Sequence, residues 1–383
     1  MDIVTNLSIN PRVTRLNHTI EQIANTAVRS WDRAMQQAGL GGRKGYYDDE
    51  HYEFEGGEQH NLRTKHYDKS LRLLWKAEEH APWSSFRDCT RDEETMLAMT
   101  KKSLSKEERA LRTRLASKEF AQELDQHYTM RQKQAIVNIL SLIGHGEAYA
   151  WLVSTELLNE VRSTGGRAAL TMQVLEEAKH FVVLRELIRA FNCPVPRMNA
   201  WEYVLLERIY KSKGLEKFFG MNVVVEGFAL SLFGMMSPLP GLEMLKLFHR
   251  DESRHTALPG NYLKEFPLSR WQMSNPANRM RRLVTVLAAL PVLLHVEDDL
   301  AVLGIDAFDL AGSLARKVLK LSERVGFRLP MSYDHAGLIL NKLFNAYCKS
   351  TREGFAERNF LLSETTVGDE ELELEQEIFA QVA

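Results

Sequence analysis

The chain has little cysteine: three in 383 residues, Cys89, Cys193 and Cys348, far apart and with no CxxC pair. That spacing excludes a disulfide framework and a zinc ribbon. Glycine (22) and proline (11) are also sparse, which disfavours a turn-rich β architecture. Lysine plus arginine (49) nearly balances aspartate plus glutamate (51), for a net charge of −2 and no basic block. A nucleic-acid binder needs a stronger positive field. The opening stretch MDIVTNLSINPRV has no basic segment followed by an apolar run, so it does not read as a signal peptide. The longest uncharged runs carry polar or glycine interruptions and do not read as membrane spans. The expected setting is a reducing cytoplasm, with neither nucleic acid nor membrane as partner.

What the sequence does have is 44% apolar residues, recurring mostly at helical spacing. The expected class is all-α, one domain with extensions. Residues 1–115 contain a helix candidate at about 15–38 and a polar, aromatic loop at 40–66. Residues 116–267 hold the longest and most apolar helices. Residues 268–383 add further helices and end in an acidic amphipathic tail at 366–383. The β-branched runs Val223-Val224-Val225 and Leu283-Val284-Thr285-Val286 suit strands by propensity, but they sit in long helical windows and are expected as buried helix. Within 116–267, breaks at Ser163–Gly166, Cys193–Pro196 and Ser237–Gly241 divide four helices. These should form two antiparallel hairpins joined by a crossover helix at about 200–212.

Two carboxylates stand out. Glu147 is the only one between Gln134 and Thr155, a run whose other titratable groups are His145 and Tyr149. Glu226 is the only ionisable side chain between Phe218 and Leu242. Helices so apolar around their circumference must be buried. A buried lone carboxylate costs several kcal/mol unless it is protonated, paired or bound to metal. The partner helices supply Glu177-x-x-His180 and Glu252-x-x-His255. Residues three apart share a helix face and can converge on one ion. A lone ExxH is weak evidence, whereas two copies in equivalent positions are strong. In the second hairpin the Pro-Leu-Pro turn lies midway between Glu226 and Glu252. In the first the Gly-Gly break lies past the midpoint, which predicts an offset of about one helical turn between Glu147 and Glu177.

Four carboxylates and two imidazoles form a dinuclear site. Carboxylate-rich ligation suits iron or manganese better than zinc or copper(I). Four negative charges balance two divalent ions, which resolves the burial problem. Asp251 and Glu176 are placed to accept the outer ring N–H of the opposite histidine, and Arg254 to pair with such a carboxylate. His249 is expected near the metals or exposed. His51, His60 and the acidic residues around them read as a solvated loop, and His295 with Glu297-Asp298-Asp299 as a helix end. Ile143, Gly144, Ala150 and Trp151 near Glu147, and Val223, Gly227, Ala229 and Leu230 near Glu226, are candidate lining residues for a substrate space or for close helix packing.

The set Glu176-Glu177-x-x-His180 and Asp251-Glu252-x-Arg-His255, with Glu147 and Glu226, resembles the oxygen-activating branch of the ferritin-like superfamily. That branch includes methane/toluene monooxygenase hydroxylases, ribonucleotide reductase small subunits, acyl-carrier desaturases and arylamine N-oxygenases. The resemblance spans about residues 130–265. It implies a ferritin-like four-helix bundle with added N- and C-terminal helices, and two iron ions (or an iron/manganese pair) with O2 as co-substrate. No subfamily's further marks fit. The position of the reductase radical tyrosine is Leu184, that of the monooxygenase threonine is Leu230, and that of the N-oxygenase additional histidine is Phe248, with His249 one place on.

The resemblance implies oxidation of a small organic substrate by hydroxylation, N-oxygenation or desaturation, with an electron donor such as a ferredoxin or reductase and a homodimer as the expected assembly. More than a hundred residues on each side of the bundle argue against simple iron storage. A ferroxidase or oxidative-stress protein is the alternative within metal chemistry, and a non-catalytic helical scaffold the alternative outside it.

Overall fold

The computed structural model describes residue 7 and residues 9–38, 117–161 and 164–362. The 40–66 loop, Cys89 and the 366–383 tail lie outside the described residues. Among those residues the chain is all-α, with no strand. The helices are α1 (Pro11–Gln37), α2 (Lys118–His127), α3 (Met130–Leu157), α4 (Thr164–Ala190), α5 (Ala200–Tyr210), α6 (Glu226–Met236), α7 (Leu245–Glu265), α8 (Arg270–Ser274), α9 (Pro276–His295), α10 (Glu297–Val302), α11 (Ala307–Val325) and α12 (Tyr333–Thr351). A π-helical stretch, Phe219–Val225, leads directly into α6. The Val223–Val225 and Leu283–Val286 runs are helical, as their long apolar windows dictate.

Local chemistry sets the boundaries. Thr129 caps α3, and Gln132 reaches back to the cap in a reciprocal box. Asn199 caps α5 through the Glu202 N–H. Gly326, at φ 82°, ends α11 in the left-handed region that a side chain disfavours. The first hairpin differs from expectation at its turn. Helix α4 already starts at Thr164, so Gly165 and Gly166 lie in its first turn and not between helices. The interval from Leu157 to Thr164 then straddles the midpoint between Glu147 and Glu177, which lie ten residues before it and thirteen residues after it.

α3 packs along α4, and α6 along α7. The two hairpins meet through α4 against α7 and through the π-helical stretch against α3, while α5 crosses from one hairpin to the other. Helix α9 packs on α5, and α11 on α6 and the π-helical stretch. The 268–362 helices thus close the bundle's open side. Two helical segments, Met130–Leu157 and Glu216–Met236, are long and apolar enough to cross a membrane by length and composition. Contrary to the reading from interruptions alone, they pass that test. Their most apolar windows are 72% and 83% buried inside the protein, so the core accounts for their hydropathy.

Candidate metal centre

The structure brings six of the sequence-derived residues together in the bundle interior. Glu147 comes from α3, Glu177 and His180 from α4, Glu226 from the first turn of α6, and Glu252 and His255 from α7. None is more than 3% exposed. They form two overlapping tetrads, Glu147–Glu177–His180–Glu252 and Glu177–Glu226–Glu252–His255, each with one donor atom per residue within 4.8 Å of the others. Glu177 and Glu252 belong to both. His180 Nδ1 lies 3.0 Å from Glu252 Oε1 and 3.4 Å from Glu147 Oε2. His255 Nδ1 lies 3.0 Å from Glu177 Oε1 and 3.2 Å from Glu252 Oε2.

The outer ring nitrogens face a second ring of charge. His180 Nε2 is 3.0 Å from Asp251 Oδ2, and His255 Nε2 is 2.9 Å from Glu176 Oε2. Each histidine therefore meets the carboxylate next to the other motif's glutamate. Arg254 Nη2 bridges the two, donating to Glu176 Oε1 at 2.6 Å and Asp251 Oδ1 at 2.5 Å. Lys179 Nζ adds a 2.9 Å bond to Asp251. This frame turns both Nδ1 atoms inward and fixes the rings. His249 is buried on α7 but belongs to neither tetrad. Phe248 packs edge-on against the His180 ring, with centroids 4.4 Å apart, and walls that side with carbon.

Burial and mutual charge divide the six. Burial first, then repulsion from Glu252, pushes Glu147 well above the usual carboxylate range. Burial and the neighbouring Glu177 do the same to Glu226. Glu177 also suffers burial, but the charge of His255 and the close approach of both imidazoles outweigh it and hold it well below that range. Burial opposes charge on His180, yet Glu147 and Asp251 raise it well above the ordinary imidazole value. Glu177 and Glu252 raise His255 likewise, also against burial.

Several inward atoms lack any hydrogen-bond partner: both oxygens of Glu147, Oε2 of Glu177, Oε1 of Glu252 and Nδ1 of His180. Orphaned buried acceptors are costly. Here they point at one another around two shared centres. Cations placed among them would satisfy every one, so the donor set fits two hard or borderline divalent metals.

Sequence reasoning missed the polar support on the other flank. Gln173 Nε2 donates to Glu177 Oε1 (3.1 Å) and Glu226 Oε1 (3.0 Å). Asn222, in the π-helical stretch, donates to Gln173 Oε1 (2.9 Å) and to the His255 carbonyl (3.0 Å). That carbonyl is available because Pro259, four residues on in α7, has no N–H to give it. Gln173 stands one turn before Glu177, which was the available signal. Helix α5 was underrated as well. Its Glu202 pairs with His145 (3.0 Å), and its Glu207 accepts from the Tyr149 hydroxyl (2.9 Å). These pair with the two other titratable side chains in α3's apolar run.

An apolar cavity of about 40 Å³ lies against Glu147 and Glu226. Ile143, Ala150 and Ala229 line it, whereas Gly144, Trp151, Val223, Gly227 and Leu230 do not. Trp151 is 40% exposed. The helical period explains the split. At about 100° per residue, positions 143 and 150 lie on one flank of Glu147 and positions 144 and 151 on the other. Ala229 and Leu230 straddle Glu226 in the same way. His295 ends α9 and Glu297 starts α10, as expected, and the His295 Nδ1 also pairs with Glu21 Oε2 of α1 at 3.0 Å.

Comparison with protein-family models, with characterised proteins and with solved structures returns no match. The functional reading therefore rests on the geometry of this buried acidic and histidine cluster.

Proposed function

We propose that this protein is a ferritin-like dimetal-carboxylate oxidoreductase that binds two iron ions (or iron and manganese) and uses O2 to oxidise a small organic substrate. The observation that carries the reading is the pair of tetrads sharing Glu177 and Glu252, whose unpartnered inward atoms two cations would satisfy. Glu147, Glu177, His180 and Glu252 would hold one ion, and Glu177, Glu226, Glu252 and His255 the other. When bound, the metals supply reducing equivalents and a coordination face for O2. The protein's own residues do the rest. Asp251, Glu176 and Arg254 orient the imidazoles and keep them basic toward the site. Gln173 and Asn222 hold Glu177 and Glu226 in place. Phe248 and the apolar cavity wall exclude water, which strengthens every charge interaction inside.

The cavity size favours a second reading. About 40 Å³ accommodates O2 or a few water-sized molecules, and a larger organic substrate would have to displace lining side chains. A ferroxidase needs only iron and O2 and fits the cavity as it stands. The deciding experiment is metal content followed by turnover. Purified protein loaded anaerobically with Fe(II) should hold two ions per chain, and Glu177→Ala or His255→Ala should abolish binding. Continuous conversion of excess Fe(II) to mineral would select the ferroxidase, and a retained oxidised centre the oxygenase. Stoichiometric zinc with no iron uptake would refute both.

A further inference from the structure

The six ligands are sealed from solvent, so an incoming ion needs a path. Two cavities lie near the cluster and share Glu202, and the first of them reaches Glu147. The first is the apolar one of about 40 Å³, whose only ionisable lining besides Glu147 and Glu226 is Glu202. The second, of about 320 Å³, is polar, with Ser141, Asn138, His145, Glu202 and Asp299 among its lining residues. Glu202 lines both. We propose that divalent cations reach the cluster through the polar cavity, and that Glu202 is the carboxylate that passes them to Glu147. This rests on the dimetal reading above.

The physical chemistry favours entry through the polar cavity, which leaves only the last step, from Glu202 to Glu147, in the apolar cavity that both line. A dication stripped of water in a carbon-lined space loses far more solvation than it regains, whereas oxygen ligands along the way replace its hydration stepwise. The neighbouring apolar cavity behind Val224 and Ala289 is about 30 Å³ and offers no such ligand. Glu202 is 4% exposed and anchored, with Oε1 at 3.0 Å from His145 Nδ1 and Oε2 accepting from Asn199 Nδ2 at 3.3 Å. At the receiving end, Glu147 is 3% exposed, lines the first cavity and has no hydrogen-bond partner on either oxygen. Its one charged contact there is the 3.4 Å approach of His180 Nδ1 to Oε2, which leaves Oε1 to meet an arriving ion. The cations around the polar cavity do not block the path. Arg131 is paired with Asp298 at 2.6 Å, His295 with Glu21 at 3.0 Å, His18 lies 3.6 Å from Glu21, and Arg197 is exposed. Asp299, which accepts from Asn138, adds a second carboxylate to the wall.

The test is the rate of Co(II) uptake by the metal-free full-length protein at pH 7.5, followed by stopped-flow absorption, with final stoichiometry measured separately. Wild type, Glu202→Gln, Asp299→Asn and the remote surface variant Glu353→Gln should all reach two Co(II) per chain. Glu202→Gln should be slower by about tenfold or more, the lower end of electrostatic focusing effects. Asp299→Asn should be slowed less, and Glu353→Gln not at all. Full stoichiometry with wild-type rates in both cavity variants overturns the route while leaving the metal centre intact. Should Glu202→Gln lose its helical circular dichroism, Asp299→Asn decides alone. Failure of the wild type to take up two Co(II) would sink the dimetal reading itself.

Discussion

Arg254 is the keystone of the outer charge ring, and its removal gives a prediction that the geometry makes quantitative. One guanidinium nitrogen serves Glu176 and Asp251 together, and all three side chains are nearly sealed from solvent. In Arg254→Leu both carboxylates keep their histidines, and Asp251 keeps Lys179, but the cation that balanced the pair is gone. Breaking one side of a buried ion pair costs about 3–5 kcal/mol. Two charge-assisted hydrogen bonds at about 1.5–3 kcal/mol each give the same range. With about 2.1 cal/mol/K of unfolding entropy per residue over 383 residues, 4 kcal/mol lowers Tm by about 5 °C. The loosened imidazoles should also lose about 10- to 100-fold in metal affinity. Arg254→Lys, with one ammonium for two carboxylates, should fall between. Thermal unfolding of the metal-free protein by circular dichroism and a Co(II) titration measure the two effects. If Arg254→Leu matches wild type in both Tm and affinity, the reasoning about this ring is wrong.

Further consequences concern pH, support and packing. Burial and mutual repulsion raise the proton affinity of Glu147 and Glu226, and the surrounding carboxylates raise that of His180 and His255, so metal loading should release protons and apparent affinity should rise with pH, as proton release measured by calorimetry in two buffers will show. Burial raises Asp299 to about 6 from 3.8, so its ionisation is disfavoured in the folded state. Wild type should lose up to about 3 kcal/mol between pH 4 and 6, and Asp299→Asn should flatten that loss in urea titrations. Gln173→Leu removes donors to Glu177 and Glu226 and the acceptor for Asn222, and should weaken Co(II) binding without loss of helix content. Gly312→Ala would place a Cβ 1.9 Å from the Phe360 carbonyl oxygen, and should cost about 2 kcal/mol or more in chemical denaturation unless the 355–362 segment detaches.

Much of this centre was readable from the chain because a carboxylate alone in an apolar run violates the rule that charges avoid cores. Glu147 and Glu226 signalled burial by their surroundings, and the two ExxH spacings gave the partners. The outer carboxylates were readable because Glu176 and Asp251 adjoin ligands, so the helical turn that positions one positions the other. What stayed hidden depended on phase and register. The π-helical stretch before Glu226 shifts hydrogen bonds by one residue and leaves no mark in composition. Trp151 looked like a cavity wall because it is one turn from Glu147, but the cavity takes the opposite flank. Glu202 was not singled out on the crossover helix, since nothing in AWEYVLLERIY shows that its first turn faces His145. The Gly-Gly pair read as a break, yet Thr164 starts α4 before it.

The central claim is that two cations belong among six side chains, with Glu177 and Glu252 common to both. The direct measurement is anomalous scattering at the iron edge from crystals loaded anaerobically with Fe(II). The account predicts two resolved peaks, one in the Glu147–His180 tetrad and one in the Glu226–His255 tetrad. A single peak, or metal bound only outside the bundle, would contradict it.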